Sequence, residues 1–274
     1  MMPSSTTMDA QSRQQRRRFQ RSLRKYHRLL LSKGLPPTGT LELAQSLALL
    51  FRDCIESGEG ARGVIDAARL AHRLYDLSEK RHPPREPLSC KAGCDYCCYT
   101  FVGVSAPEAF LIADEISTGQ SRNISRELFT DRARPLAGLS PGKRAASSRL
   151  PCPFLEDRKC SAYSFRPLVC RKMSSYSVQD CIDGFDNPAI TIRTDADRQT
   201  FGEGCSVTLA AALRSLSLPW NYYEMSEAVS TILHTDNALE RWVSGEDILR
   251  DVQAGTHISA DMEKALCKMV DAIS

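Results

Sequence analysis

Four cysteines fall within nine residues, CKAGCDYCC at 90–98, and three more follow at Cys152, Cys160 and Cys170. A loop of two or three residues between thiols folds back far enough to set several sulfurs around one ion, which is the usual arrangement of thiolate metal sites. Gly93 and Asp95 supply the turn such a loop needs. Cys97 and Cys98 are adjacent, and consecutive side chains diverge on both strand and helix. The two therefore serve different roles, or the thiols serve more than one metal. Seven thiols also exceed the four that satisfy one tetrahedral zinc or one four-iron cluster.

The rest of the chain must position these residues. Its 274 residues are 42% hydrophobic and 25% charged, ordinary for a folded protein, and the net charge is +3. The basic charge is uneven: residues 1–28 hold eight Lys or Arg against Asp9, whereas the remainder carries 28 basic against 32 acidic side chains. Phe19, Leu23, Tyr26 and Leu30 form one apolar stripe on this basic stretch, so we expect a separable N-terminal arm or helix over 1–40. Such an arm suits contact with nucleic acid or an acidic surface, or docking on the body of the protein. No apolar run approaches a membrane span or a secretory signal, so a cytoplasmic protein with reduced thiols is expected.

Amphipathic helical patterns run through LELAQSLALLFRDCIESG and ARGVIDAARLAHRLYDLSEKRH before the cysteines. After them come APEAFLIADEIS, NISRELFTDRARPLAGL with Asn123 or Ser125 as cap, a hairpin around EDRK, and a short helix from Phe165. AITIRT reads as a strand. VTLAAALRSLS, SEAVSTILHT, ALERWVSGEDILRDVQ and SADMEKALCKMVDAI close the chain as helices. The expected fold is mainly α: a single helical domain over 41–274 with a central cysteine-rich segment of loops and hairpin, 88–172, that binds metal.

Cys54 and Cys267 sit in apolar helical patterns and read as buried hydrophobes, while Cys181 and Cys205 lie in glycine-containing, loop-like sequence that leaves ligation open. Lys91, Lys159, Arg166, Arg171 and Lys172 flank the ligand candidates and could balance a negatively charged thiolate centre. Arg166, Arg171 and Tyr163 are the expected contacts to the bound group, Tyr163 through its hydroxyl or by packing. The histidines are scattered, and no HExxH or GxSxG motif is present.

CKAGCDYCC followed by CPFLEDRKCSAYSFRPLVCR resembles the CxxCxxCC zinc- or iron-chelating family, the YkgJ-type cysteine cluster family. Cys90, Cys94, Cys97 and Cys98 match its first burst, with three residues in the first gap where many members have two. Cys152, Pro153, Phe154, Leu155, Cys160, Tyr163, Arg166, Pro167, Cys170 and Arg171 match the second. The resemblance implies metal binding, and the similar cysteine pattern of flagellin lysine N-methylases implies a methyltransferase as one enzymatic alternative. CKAGCDYC also resembles the motif of radical S-adenosylmethionine enzymes, with Tyr96 in the aromatic position, but the strand–helix repeats of that fold are not evident. Two functions of different class follow. One is a metal-binding redox or accessory module holding an iron–sulfur cluster or iron, with zinc as the alternative; the other is a metal-dependent modifying enzyme.

Overall fold

Two long helices carry the apolar stripes that the sequence spaces four residues apart. In α1 (Leu41–Ser57) Leu43, Leu47, Phe51 and Ile55 are buried, and the Thr40 hydroxyl caps the helix by accepting from the Leu43 N–H at 3.2 Å. In α2 (Gly63–Arg81) the buried face is Val64, Ala67, Ala68, Ala71, Leu74, Tyr75 and Ser78. The computed structural model describes residues 27–119, 124–140, 142–143, 150–187 and 189–252. Most of the basic N-terminal stretch and the last helical pattern, with Cys267, lie outside them. Residues 27–33 are helical, Leu30 is fully buried, and the His27 ring lies 2.9 Å from the Ser46 carbonyl.

The other elements pack around this pair. They are α3 (Ala106–Ser117), α4 (Arg126–Ala133), α5 (Leu168–Lys172), α6 (Val178–Asp186), α7 (Ala196–Ser215), α8 (Met225–Leu233) and α9 (Ala238–Val243). Helix α7 lies across α1 and α2; α3 joins α2 to α8, and α4 rests on α8. A core of fully buried Phe51, Tyr75, Phe129, Phe201 and Trp242 results, each large apolar side chain contributing about 1.5–3 kcal/mol. Strand β1 (Gly103–Ser105) pairs antiparallel with β4 (Tyr222–Glu224), and β2 (Leu155–Glu156) with β3 (Lys159–Cys160). The fold is mainly α with a loop-and-hairpin cysteine segment, as expected, and among the described residues no helix is long and apolar enough to cross a membrane.

Several elements differ from expectation. AITIRT is not a strand: Ser175 bridges Thr194 in isolation, and no neighbouring strand extends the pairing. Residues around Cys181 form α6 rather than a loop, capped by the Ser177 hydroxyl on the Asp180 N–H. Helix α7 starts at Ala196, well before VTLAAALRSLS, and runs through Gly202, where an added Cβ would collide with the Lys172 side chain. That glycine is the close-approach point of α5 on α7. Helix α9 stops at Val243, and the β1–β4 pair has no local sequence signal.

One buried carboxylate joins three of these elements. Glu108, on the first turn of α3, accepts from the Ser105 N–H (3.1 Å) and hydroxyl (2.8 Å), the Leu168 N–H (2.8 Å) and His72 Nε2 (3.4 Å). Burial alone would raise its pKa, but the His72 contact and the two backbone donors more than offset this and keep it ionised. Burial likewise holds His72 below its ordinary 6.5, so a neutral imidazole donates to the carboxylate. A histidine of lowered folded pKa contributes stability that is complete above about pH 6.5 and is lost as the pH falls below it, by at most about 1.4 kcal/mol per pH unit. Thermal melting between pH 8 and 5 should therefore fall on the acid side. His72→Gln, which keeps a donor but does not titrate, should flatten that fall; an unchanged slope would refute it.

Candidate metal centre

The first burst is built on two tight turns. Gly93, at φ 87°, allows the Cys94 N–H to reach the Lys91 carbonyl at 3.0 Å. Residues Tyr96–Tyr99 then form a single 3₁₀ turn, with the Cys98 N–H on the Asp95 carbonyl at 2.8 Å. At three residues per turn, adjacent side chains leave the backbone roughly 120° apart, yet the Cys97 and Cys98 thiols come within reach of each other.

Residues 99–151 separate this burst from the second, yet the two meet through a hydrogen bond from the Cys152 N–H to the Cys98 carbonyl at 2.7 Å. The β2–β3 hairpin pairs Leu155 with Cys160 through a two-residue turn in which Asp157 and Arg158 have φ of 46° and 60°. Two successive left-handed residues twist the hairpin as a type I′ turn does, although neither is glycine or asparagine. Arg158 thereby reaches Asp95 at 3.1 Å and fastens the hairpin to the first burst. The sequence offered Asp95 as a turn residue; its role as an anchor is a long-range pairing with no local signal. Cys170 lies on α5, held by Glu108 on the Leu168 N–H and by the Tyr75 hydroxyl, which donates to the Arg171 carbonyl at 2.9 Å.

The thiols are electrostatic neighbours. The Cys98 thiol donates to Cys97, which pushes Cys98 up and brings Cys97 down to about 7; Cys152 and Cys160 raise Cys98 further. Burial, then Cys152, Cys97 and Cys160, push Cys170 well up. Burial and Cys90 raise Cys94, which also senses Cys97 and Cys181. All seven expected ligands thus lie in one region, Cys90 and Cys97 exposed and the other five partly buried. Cys181 joins them, whereas Cys205 is fully buried in the core, its thiol facing the Ala71 carbonyl. Cys54 packs against the core, as expected.

As the side chains stand, no three His, Cys, Asp or Glu of the described residues form a group that could hold an ion. The donor set nevertheless suits a thiolate-bound metal. The Arg166 Nε is buried without a hydrogen-bond partner, and the Arg166 charge is felt by Cys97, Cys160 and Cys170. A negatively charged metal–thiolate centre is the partner such a cation needs. The Tyr163 ring covers the Arg166 guanidinium, 4.2 Å from its centroid, and is itself 65% exposed. Arg171 is occupied elsewhere, donating to Asp76 (2.6 Å) and to the Ser164 and Arg166 carbonyls (2.6 and 2.9 Å). Lys172 pairs with Glu203 at 3.2 Å.

No curated protein and no solved structure matches the chain. Residues 89–205 match the family model described as "CxxCxxCC: Putative zinc- or iron-chelating domain", so the matched stretch extends past Cys170 to take in α6 and Cys181. The cysteine segment of this chain is thus similar to that zinc- or iron-chelating domain.

Proposed function

We propose that the metal is iron, held as an iron–sulfur centre, and that the chain is a redox or accessory module working in a reducing cytoplasm. The observation that carries the metal reading is the orphaned Arg166 Nε among the gathered thiols. The preference for iron comes from the number of thiols, which one tetrahedral zinc does not use, and from the adjacency of Cys97 and Cys98. An iron–sulfur cluster would supply one-electron chemistry. The chain's own part is to gather the thiols, exclude water from the inner ones and place Arg166 beside them.

A second reading, a metal-dependent modifying enzyme such as a methyltransferase, draws on a groove of about 490 Å³ between α2 and the loop before α5. Arg69, Arg73, Lys80, Ser164 and Phe165 are among its lining residues. No cysteine lines it, which separates the groove from the thiols and puts this reading second.

The test is anaerobic purification with iron, zinc and acid-labile sulfide quantified. Iron with matching sulfide and a visible spectrum bleached by dithionite is the expected result. Stoichiometric zinc without colour or sulfide would overturn the assignment, and colour that dithionite leaves intact would overturn the redox role.

A further inference from the structure

The 3₁₀ turn stands between two sets of thiols, with the Cys97 and Cys98 thiols touching at their junction. On one face Cys98 meets Cys152 through the backbone hydrogen bond, and the β2–β3 pair and α5 add Cys160 and Cys170. These three partly buried cysteines all pack against the core. The other face is covered by α6. Phe185 of α6 meets the edges of Tyr96 and Tyr99, with ring centroids 5.8 and 5.4 Å apart, and so seats the helix on the turn. Cys181 stands four residues before Phe185 and therefore shares its helix face.

Buried Ser175 ties Cys181 to the first burst. Its N–H donates to the Cys90 sulfur at 3.2 Å, its hydroxyl stands beside the Cys181 thiol while donating to the Ser177 carbonyl at 3.0 Å, and its carbonyl accepts from the Ser89 N–H at 2.9 Å. Cys90 and Cys181 thus share one neighbour. Cys94 senses both of them, and Cys181 in turn senses Cys90 and Cys97.

We propose that Cys181 is a metal ligand and that the thiols form two four-sulfur centres, Cys90, Cys94, Cys97 and Cys181 in one, Cys98, Cys152, Cys160 and Cys170 in the other. This rests on the metal-binding reading above and extends it. Four thiolates are what a tetrahedral ion or an iron–sulfur cluster takes, so eight divide without remainder. The adjacent pair then needs no shared ion: Cys97 stands at the seam and completes the outer set, while Cys98 belongs to the inner one.

Cobalt(II) titration of the reduced, metal-free full chain tests this independently of the native metal, through thiolate-to-cobalt absorption. The unaltered chain should take two equivalents, Cys181→Ser one, Cys160→Ser one, and Cys205→Ala two. Phe185→Leu retains every thiol but unseats α6, and should weaken one equivalent at least tenfold. Two equivalents in Cys181→Ser, or an unchanged titration of Phe185→Leu, would overturn the assignment of Cys181. One equivalent in the unaltered chain would overturn the two-centre division while leaving metal binding intact; none would remove the metal reading itself.

Discussion

Glu108→Ala is expected to destabilise the protein by about 3–5 kcal/mol, the cost of removing one partner from a buried charged network. The carboxylate is 2% exposed and answers four donors, so truncation orphans the Ser105, His72 and Leu168 groups together. For a chain of this size that corresponds to a melting temperature lower by roughly 10 °C. Glu108→Gln keeps the shape but can no longer accept at both oxygens, and should fall between. Because Glu108 holds the start of α5, the alanine variant should also retain less metal, although it touches no cysteine ligand. A melting temperature within 2 °C of the unaltered protein would show that the carboxylate is not the joint we describe.

The second large effect follows from the metal itself. A ligand that binds only the folded chain adds about 4 kcal/mol when present at a thousand times its dissociation constant, so anaerobic chelation should lower the melting temperature markedly. Single substitutions should divide this effect unequally. Cys98→Ser removes a proposed ligand from the set whose Cys152, Cys160 and Cys170 pack on the core, and should reproduce most of the chelator's destabilisation. Cys97→Ser removes one thiol of the proposed outer set, where Cys90 and Cys97 are exposed, and should lose metal with little change in melting. Equal thermal losses in the two variants would argue against separate roles for the adjacent pair.

The metal segment was legible in the sequence because few residue types bind soft metals, and their spacing in a short loop is seldom accidental. Helices α1, α2 and α3 were legible through their apolar periodicity, caps and the Pro at the start of α3. What escaped was set by partners distant in sequence. AITIRT has strand composition but no strand to pair with, while Gly103 finds Glu224 across the whole domain. Helix α6 is short and carries Gly184, so its stability comes from Ser177 and from Phe185 against two tyrosines. Glu108 looks like any acidic residue in a first helical turn until Leu168 and His72 arrive beside it. The same reasoning failed for Arg158, whose partner Asp95 precedes it by 63 residues.

The pairing of β1 with β4 sets an order of events during synthesis. Strand β4, at Tyr222–Glu224, and the α7 surface that receives α5 both follow every proposed ligand in the chain. A nascent chain therefore carries all the proposed metal-binding sulfurs into solvent before these later parts of the scaffold exist. On the proposed ligand assignment metal delivery is a late step, and during translation the thiols depend on their surroundings rather than on their own protein for protection from oxidation.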